Sequence, residues 1–447
     1  VIEAARNLKV IGRAGIGVDN IDVAAAGKKG IIVMNAPEGN VITTAEHTMA
    51  LMLSMSRNIP QARSALKDQK TWAPKKFMGK ELHGKTLGIV GLGRIGTVVA
   101  ERAKGFHMKI LVFDPYISQE HAEKVGVETV ELSDLLKRSD YISLHTPSLD
   151  GKPLLSTKEF DMVKPGIRIV NCARGNLIDD DALIEAIKSE KVAQAALDVY
   201  SKEPLPPKSP LLELDEIICT PHLGASTEEA QEKVAIAVAD QIIDFLKYGN
   251  IRNAVNMPSI DADTLKRIQP YLKLGEDLGL FISQLVEAPL TSVEIQYNGE
   301  VAGQRMDPIT ISILKGLLSR NIEGINMVNA PFIAKERDIE VKESKSSEVH
   351  EYTSTIQVTA KTKNGERSIT GSVFGKGDSR VVKFDEFYFE AVLSKHMLVL
   401  NNTDVPGVIG NLGSVLGTNN INIAGFHLGR IKDGDKAVAV INIDSPP

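Results

Sequence analysis

Short runs of apolar and β-branched residues alternate with amphipathic stretches between residues 85 and 250. The apolar runs have the length of strands buried on both faces, and the amphipathic stretches have helical spacing. This alternation predicts an α/β fold with a doubly wound parallel sheet, whose ligands bind at the carboxyl ends of the strands. The predicted strands are residues 86–90, 109–113, 141–145, 167–171, 194–198 and 216–219.

Further helices and strands are predicted on either side of this sheet. Residues 9–34 predict a strand, a helix and a second strand, too few elements to close a domain alone. A continuous apolar period predicts one long helix over residues 43–69. Residues 227–247 predict another long helix, with acidic residues in its first turn.

After residue 250 the pattern changes, which indicates a separate α+β domain followed by a third compact unit. The α+β domain has predicted helices at 261–286 and 307–320 and predicted strands at 291–297, 352–360, 367–374 and 380–389. The third unit has a predicted helix at 405–417 and predicted strands at 396–400, 421–428 and 437–443.

Length and charge narrow the class of protein. The chain has 447 residues, which is enough for two or three domains. Its 52 basic and 57 acidic residues give a net charge of −5, so neither a nucleic-acid nor a membrane-surface partner is indicated. The two cysteines, Cys172 and Cys219, show no metal-type pairing, so we expect a reducing compartment, the cytoplasm, and no metal. Because Val1 is not an initiator methionine, an organellar transit peptide stays open.

A glycine loop, residues 91–96 (GLGRIG), connects the first strand of the sheet to a helix. In such loops the first glycine permits a sharp turn, the second admits a pyrophosphate, and the third lets helix and strand pack closely. Asp114 ends the next strand, 114 − 96 = 18 positions later, where a carboxylate accepts from a ribose 2′-hydroxyl and repels a 2′-phosphate. The order therefore predicts NAD rather than NADP; the alternative is a glycine turn without a ligand.

Three polar side chains follow later strands of the same sheet: Arg174, Glu203 and His222. Each alone has an ordinary explanation: a surface arginine paired with Asp179 or Asp180, a solvated glutamate, and a structural histidine. Together, at successive strand ends, they fit the removal of hydride from a secondary alcohol. The guanidinium fork holds a carboxylate, the imidazole takes the hydroxyl proton, and the glutamate fixes the imidazole tautomer.

Seven motifs resemble those of the D-isomer-specific 2-hydroxyacid dehydrogenases, and they cover nearly all of residues 9–250. They are GRAGIGVDNID (12–22), GLGRIG (91–96), FDP (113–115), HTP (145–147), NCARGNLID (171–179), ALDVYSKEP (196–204) and TPHLGAST (220–227). The resemblance implies NAD as cofactor and Arg174, Glu203 and His222 as the catalytic set, with Glu203 and His222 as the proton relay. It also implies a Rossmann-like NAD-binding domain over residues 38–226 and a partial, flavodoxin-like substrate domain over residues 1–37 and 227–250.

The resemblance further implies which residues contact the ligands. The implied NAD contacts are Ile16, Gly91, Gly93, Arg94, Ile95, Gly96, Asp114, Thr146, Cys172, Ala173, Arg174, Asp198, His222, Gly224 and Ala225. The implied substrate contacts are Arg13, Gly15, Ile16, Gly17, Asn40, Arg174 and His222.

The C-terminal regions resemble those of the long-form phosphoglycerate dehydrogenases within that family. Residues 251–390 look like their intervening allosteric substrate-binding domain, and residues 395–447 look like a ferredoxin-like ACT domain. This resemblance implies 3-phosphoglycerate as substrate, in the first step of the phosphorylated route to L-serine. It also implies inhibition by L-serine, with Asn402, Asp404 and Asn422 as effector contacts; the alternative is an ACT module used for assembly alone.

Other functions stay open at this point: a glyoxylate or hydroxypyruvate reductase, another D-2-hydroxyacid dehydrogenase, or an NAD-sensing regulator without turnover. The region after residue 250 argues against the reductase, and the intact catalytic set argues against the regulator. The resemblance implies a homodimer through the NAD-binding domains, with helix 43–69 and Trp72 suited to the interface, and a homotetramer through ACT pairing. We expect the substrate domain to begin before Val1 and the ACT domain to continue after Pro447.

Overall fold

The computed structural model describes residues 1–148, 151–348, 351–375, 377–431 and 436–446. The chain divides into two compact units. The first unit consists of Val1–Arg13, Gly17–Asn35 and Val238–Pro447, and the second consists of Ala14–Ile16 and Ala36–Ala237. No helix in the described ranges combines the length and the apolar character of a membrane span.

The first unit begins with the predicted strand, helix and strand. These are β1 (Val10–Arg13), α1 (Val23–Lys28) and β2 (Ile32–Asn35), and the two strands pair in parallel. A small core of buried apolar side chains, Ala26, Ile31 and Val33, holds the fragment together.

The second unit opens with two helices, α2 (Val41–Ser56) and α3 (Ile59–Lys67), and a short 3₁₀ helix, Pro74–Phe77. The prediction of one helix over 43–69 is wrong. The helix breaks at Asn58, whose φ of +52° lies in the left-handed region, and a proline follows in the first turn of α3.

A seven-stranded parallel sheet forms the body of the second unit. The alternating pattern predicts a parallel sheet and six of these strands, whereas the two-residue strand Glu128–Thr129 was not predicted. In chain order the elements are β3 (Thr86–Val90), α4 (Arg94–Gly105), β4 (Lys109–Phe113), α5 (Gln119–Val125), β5 (Glu128–Thr129), α6 (Leu132–Arg138), β6 (Tyr141–Leu144), α7 (Thr157–Phe160), β7 (Ile167–Asn171), α8 (Asp180–Lys188), β8 (Val192–Leu197) and β9 (Ile217–Cys219). The strands lie in the order β5-β4-β3-β6-β7-β8-β9, with helices on both faces. All neighbours pair in parallel, so the loops after the strands emerge at one edge.

Helix α9 (Glu228–Tyr248) contributes residues to both units, and the chain then builds a six-stranded sheet in the first unit. The elements are α10 (Ala262–Ser283), β10 (Leu290–Gly299), α11 (Asp307–Ser319), α12 (Ala330–Glu336), β11 (Glu340–Ser346), β12 (Ser354–Thr362), β13 (Gly365–Phe374), β14 (Asp378–Phe384) and β15 (Phe387–Val392). The sheet order is β11-β10-β12-β13-β14-β15, and all neighbours are antiparallel except β10 and β11.

Two details of this region differ from the sequence-based prediction. The prediction of one strand over 380–389 is wrong, because the chain turns at Asp385, whose φ is +49°, and pairs β14 with β15 as a hairpin. Helix α12 and strand β11 were not predicted. Strand β11 reads EVKESKS and lies at the sheet edge with mostly exposed side chains, so it carries no apolar signal.

The chain ends in a three-stranded antiparallel sheet with one helix. Its elements are β16 (Met397–Thr403), α13 (Val408–Thr418), β17 (Ile423–Arg430) and β18 (Lys436–Ile443), with β18 between the other two strands. Successive side chains of β18 point to opposite faces. Val438 and Val440 join the core of the six-stranded sheet, whereas Ala439 and Ile441 join the core under α13.

Candidate active site

The glycine loop lies at the carboxyl end of β3 and begins α4. Gly91 has a φ of +93°, which favours glycine, and a Cβ at Gly96 would lie 2.1 Å from the Gly91 carbonyl oxygen. Asp114, at the end of β4, accepts from the backbone N–H of Leu92 at 2.8 Å and from that of Tyr116 at 2.9 Å. The carboxylate predicted to recognise ribose therefore also fixes the glycine loop.

Arg174 follows β7 in a loop fixed by the side chain of Asn171. That amide accepts from the backbone N–H of Ala173 at 3.0 Å and donates to the Arg174 carbonyl oxygen at 2.9 Å. The Arg174 guanidinium donates to the Ala173 carbonyl oxygen at 2.7 Å. Asp179 and Asp180 are the surface carboxylates suggested as alternative partners of Arg174. Asp179 caps α8 by accepting from the Ala182 N–H, and Asp180 accepts from the Ser201 hydroxyl at 2.6 Å.

Glu203 and His222, which follow β8 and β9, contact each other directly. The Glu203 Oε2 atom lies 2.7 Å from His222 Nδ1, and Glu203 Oε1 accepts from the Tyr200 backbone N–H at 3.1 Å. An ionised carboxylate only accepts, so Nδ1 carries the proton and Nε2 of the neutral ring is left as the basic nitrogen. The His222 side chain is 54% exposed, which leaves the ring accessible to a small substrate.

Tyr200 connects the three segments that carry these residues. Its hydroxyl hydrogen is shared between the carbonyl oxygens of Leu197, at 3.0 Å, and Thr220, at 2.9 Å. Burial raises the pKa of this phenol above its ordinary value, so the hydroxyl stays a donor. On the other side, Gly175 packs so closely that a Cβ there would lie 1.8 Å from the Tyr200 carbonyl carbon.

Asp198 is fully buried beneath the loop that carries His222. Its carboxylate accepts from the Thr220 hydroxyl at 2.6 Å and from the backbone N–H groups of Leu223 and Gly224, both at 2.8 Å. Burial opposes ionisation, but the hydrogen bonds outweigh it and hold the pKa of Asp198 below its ordinary value. Asp198 is therefore charged and organises the backbone around His222.

Two further titratable groups near the site are inert. Burial raises the pKa of the Cys172 thiol to about 12, so it carries no thiolate near neutrality. Burial lowers the pKa of His145 to about 4, and its ring Nε2 lies 2.8 Å from the Ser143 hydroxyl. His145 of the HTP motif is therefore a neutral structural histidine.

The other predicted ligand contacts have varied positions. Gly224 and Ala225 lie in the loop that carries His222. Arg94 and Ile95 lie in the first turn of α4, and Nη2 of Arg94 lies 3.6 Å from Oε1 of Glu38. Gly15, with a φ of +142°, accepts from the Ala36 backbone N–H at 3.0 Å, and Ile16 follows it. Asn40 occupies the N-cap position of α2 without a capping hydrogen bond from its side chain. Arg13 and Gly17 belong to the first unit, so their joint role with these residues stays a prediction.

The predicted effector residues lie in or beside strands of the terminal sheet: Asn402 is in β16, Asp404 directly follows β16, and Asn422 directly precedes β17. Asp404 accepts from the Arg430 guanidinium at 3.1 Å, and Asn402 lies two residues before it. Asn422 instead donates to Asp444 at 2.6 Å. The pairing register puts Thr403 beside Lys436 and Ile423 beside Ile443, so these two groups lie at opposite ends of β18.

Sequence reasoning missed four residues that hold the catalytic segments: Asn171 and Tyr200, described above, and Thr44 and His47 on α2. The His47 Nε2 atom lies 3.2 Å from Asp198, and the Thr44 hydroxyl donates to the Gly224 carbonyl oxygen at 3.0 Å. Both α2 residues stand in a predicted apolar helix, where a polar pair three positions apart was the only available signal.

Comparisons with known proteins match the chain over its whole length. Residues 49–224 match the family model described as "D-isomer specific 2-hydroxyacid dehydrogenase, NAD binding domain", and residues 267–385 match "D-3-phosphoglycerate dehydrogenase intervening domain". The chain is 44% identical over its whole length to D-3-phosphoglycerate dehydrogenase from Archaeoglobus fulgidus, of which it covers 85%. It is 46% identical to the Methanocaldococcus jannaschii enzyme of the same name, covering 99% of the chain and 84% of that protein.

Solved structures are similar over part of the chain. D-lactate dehydrogenase from Aquifex aeolicus, complexed with NAD and lactic acid, has a TM-score of 0.51 and 30% identity over 57% of this chain and 82% of that one. NAD-dependent formate dehydrogenase from Staphylococcus aureus, in complex with NAD, has a TM-score of 0.52 and 31% identity over 57% of this chain and 77% of that one.

Residues 49–224 are thus an NAD-binding domain, and the site has suitable features for the dinucleotide. A Cβ at Gly93, the N-cap of α4, would meet no described atom within 4 Å, which leaves space for a pyrophosphate beside the helix N-terminus. The Thr146 hydroxyl, which follows β6, is buried and has no hydrogen-bond partner among the described residues. A cofactor lying across these strand ends would satisfy it.

Proposed function

Because the chain belongs to the D-3-phosphoglycerate dehydrogenase family, we propose that it oxidises D-3-phosphoglycerate to 3-phosphohydroxypyruvate. This is the first step of the phosphorylated route to L-serine. The observation that carries the proposal is the 2.7 Å contact between Glu203 and His222, at the edge of the parallel sheet that also bears the glycine loop. When bound, NAD accepts the hydride that the alcohol carbon loses.

His222 is the proposed general base. Its Nε2 takes the proton from the substrate hydroxyl, and Glu203 stabilises the resulting positive charge through Nδ1–H. The second Glu203 oxygen is fixed by the Tyr200 N–H, so the carboxylate cannot rotate away without losing that bond. In the reverse direction the same imidazolium returns the proton to the carbonyl oxygen.

Arg174 is proposed to hold the substrate carboxylate. Its planar guanidinium fork suits a bidentate contact, and its loop is fixed by Asn171. The positive charge of the guanidinium also polarises the carbonyl group that forms from the substrate alcohol. Arg13, Gly15, Ile16, Gly17 and Asn40 remain proposed substrate contacts, and the buried Asn40 Oδ1, without a partner among the described residues, supports one of them.

The proposal is tested by following NADH formation from NAD with the full chain. We expect turnover with D-3-phosphoglycerate and much weaker turnover with D-glycerate, because the latter lacks the phosphate. Reduction of glyoxylate or hydroxypyruvate with NADH tests the reductase alternative in the same assay. Faster turnover of these unphosphorylated acids than of the phosphorylated pair would contradict the proposal.

We further propose that L-serine inhibits the enzyme through the terminal module, with Asn402, Asp404 and Asn422 as its contacts. Along β18, Lys436 and Ile443 mark the two ends, seven residues or about 23 Å apart. One amino acid cannot span that distance, so the site would combine Asn402 and Asp404 of one copy with Asn422 of another. Titrating turnover with L-serine, for the wild type and Asp404→Ala, tests this.

The proposed assembly is a homodimer through the NAD-binding domains, paired further into a homotetramer. Large exposed apolar side chains on and after α2 and α3 support the dimer contact: Ile42, Ile59, Leu66, Trp72 and Met78. Light scattering of wild type and Trp72→Glu would test it, since a charge in an apolar interface favours dissociation. The two unpaired cysteines support the proposed reducing, cytoplasmic compartment.

A further inference from the structure

Helix α2 reaches the loop that carries His222. The His47 Nε2 atom lies 3.2 Å from Asp198 Oδ1 and 3.3 Å from Thr220 Oγ1. The Thr220 hydroxyl gives its one proton to Asp198, at 2.6 Å, so toward His47 it can only accept. The ionised Asp198 also only accepts, which requires that His47 Nε2 carries a proton and shares it between the two oxygens.

A second residue on the same face of α2 holds the other end of this loop. The Thr44 hydroxyl donates to the Gly224 carbonyl oxygen at 3.0 Å, and the Gly224 N–H donates to Asp198 at 2.8 Å. Thr44 and His47 are three residues apart, so they project from one side of the helix. The loop between Thr220 and Gly224 is therefore fixed at both ends by α2 and Asp198.

The loop needs this support because His222 is in an unusual backbone conformation. Its φ of +57° lies in the left-handed region, which a residue with a side chain keeps only when its surroundings hold it there. The ring itself touches Glu203, whose position is fixed separately. Loss of a hydrogen bond from α2 would therefore relax the backbone and move the imidazole away from its working position.

A metal site is the competing explanation for this cluster, because atoms of His47, Cys172 and Asp198 lie within 4.8 Å of one another. The hydrogen bonds of Asp198 argue against it. Its two oxygens already accept from two backbone N–H groups and a hydroxyl, so they are committed to the loop.

We propose that His47, assisted by Thr44, is a positioning residue for His222: it touches no reacting atom but holds the loop on which the base stands. The inference rests on the proposed function, since the position of His222 limits turnover only if His222 is the base. His47→Leu keeps the bulk and removes the donor, His47→Gln keeps a donor at similar reach, and Thr44→Val removes the second contact. Glu46→Gln, an exposed neighbour on the same helix, is the matched control.

The first measurement separates kcat from cofactor binding. We expect His47→Leu to lower kcat by about tenfold or more, as small displacements of catalytic groups do. The Kd for NADH should stay near the wild-type value, His47→Gln should recover most of the loss, and Glu46→Gln should behave as wild type. Unchanged kcat in His47→Leu, or equal losses of kcat and NADH affinity, would overturn the inference.

The second measurement needs no substrate. Hydrogen exchange of the Leu223 and Gly224 amides reports directly on the loop, because both donate to Asp198. We expect faster exchange in His47→Leu and in Thr44→Val, and wild-type exchange in Glu46→Gln. If the wild type fails to oxidise D-3-phosphoglycerate, the proposed function fails alone, and exchange still decides the structural claim. Should His47→Leu not fold, unchanged exchange in Thr44→Val overturns it.

Discussion

Gly175→Ala tests whether the catalytic segments depend on one another for their position. The new Cβ would lie 1.8 Å from the carbonyl carbon and 1.9 Å from the carbonyl oxygen of Tyr200. Ordinary contacts begin near 3.4 Å, so one of the two backbones must move by 3.4 − 1.8 = 1.6 Å. The Arg174 loop lies on one side of this contact. Tyr200 lies on the other side, and it is hydrogen-bonded to Glu203 and to the Thr220 carbonyl oxygen.

The expected magnitudes follow from that displacement. Overpacking usually costs about 1–3 kcal/mol, and because both partners here are backbone we expect about 3 kcal/mol of lost stability. A shift of about 1 Å in a positioned catalytic group lowers the rate by about 100-fold, so we expect kcat to fall by about that factor. The loss should appear with any substrate the wild type accepts.

The assay combines kcat, from NADH formation, with urea unfolding of the same preparations. Gly105→Ala is the matched control, since a Cβ at this exposed end of α4 would meet no described atom within 4 Å. It should leave kcat unchanged and raise the free energy of unfolding by about 0.5–1 kcal/mol, because alanine reduces the conformational entropy of the unfolded chain. Wild-type kcat in Gly175→Ala would refute the reasoning, because it would mean that the close contact with Tyr200 does not position Arg174 or Glu203.

Three further predictions concern single side chains. His222→Ala should lower kcat by about 10²–10⁴ with NADH affinity nearly intact, and substantial remaining turnover would remove His222 as the base. Asp114→Ala should weaken NAD binding, because the bond that fixes the Leu92 N–H is lost. It should also narrow the preference for NAD over NADP, because the carboxylate that repels a 2′-phosphate is gone. An unchanged ratio of the Kd values for NAD and NADP would argue against this role. Burial lowers the pKa of His145 to about 4 in the folded protein, whereas in the unfolded chain the pKa is near 6.5. The free energy of unfolding should therefore be highest above pH 6.5 and fall as the pH drops from 6.5 to 4, because the unfolded chain then binds a proton that the folded protein does not. The loss approaches about 3 kcal/mol, and urea titrations across this range should show it in wild type but not in His145→Gln.

The parallel sheet and the cofactor loop could be predicted because their signals are local. Strands β3 and β4 lie at the predicted residues, since each is a short buried run bounded by a glycine loop or an acid. The contact between Glu203 and His222 was predicted from the chemistry of the two side chains, from the resemblance, and from their positions after neighbouring strands of one parallel sheet. The order of the elements and the rule that strand ends share an edge supplied the spatial part of that prediction.

The failures arise where side-chain periodicity continues through a backbone break. Apolar spacing runs on past Asn58, so nothing in the pattern marks the change from α2 to α3. Phe384 and Phe387 are both buried on either side of the turn at Asp385, and the run therefore resembles one strand. In each case a left-handed residue decides the outcome, and periodicity does not report on φ.

The supporting residues of the site escaped prediction for a different reason. His47 and Thr44 act through hydrogen bonds to residues about 150 to 180 positions away in the chain, which no local pattern contains. Tyr200 lies inside a recognised motif, but its importance comes from the space that Gly175 leaves beside it. Catalytic groups have distinctive chemistry in a sequence, whereas the groups that hold them in position do not.

Strand β18 has a consequence for the modularity of the gene. Val438 and Val440 complete one hydrophobic core, Ala439 and Ile441 complete another, and Asn442 donates to the Val392 carbonyl oxygen at 2.8 Å. A deletion of one codon within this strand would exchange the two sets of side chains and damage both cores at once. Recombination in the short linker after Val392 would likewise separate a core from its own residues. The terminal module and the six-stranded sheet are thus expected to be inherited, and to unfold, together.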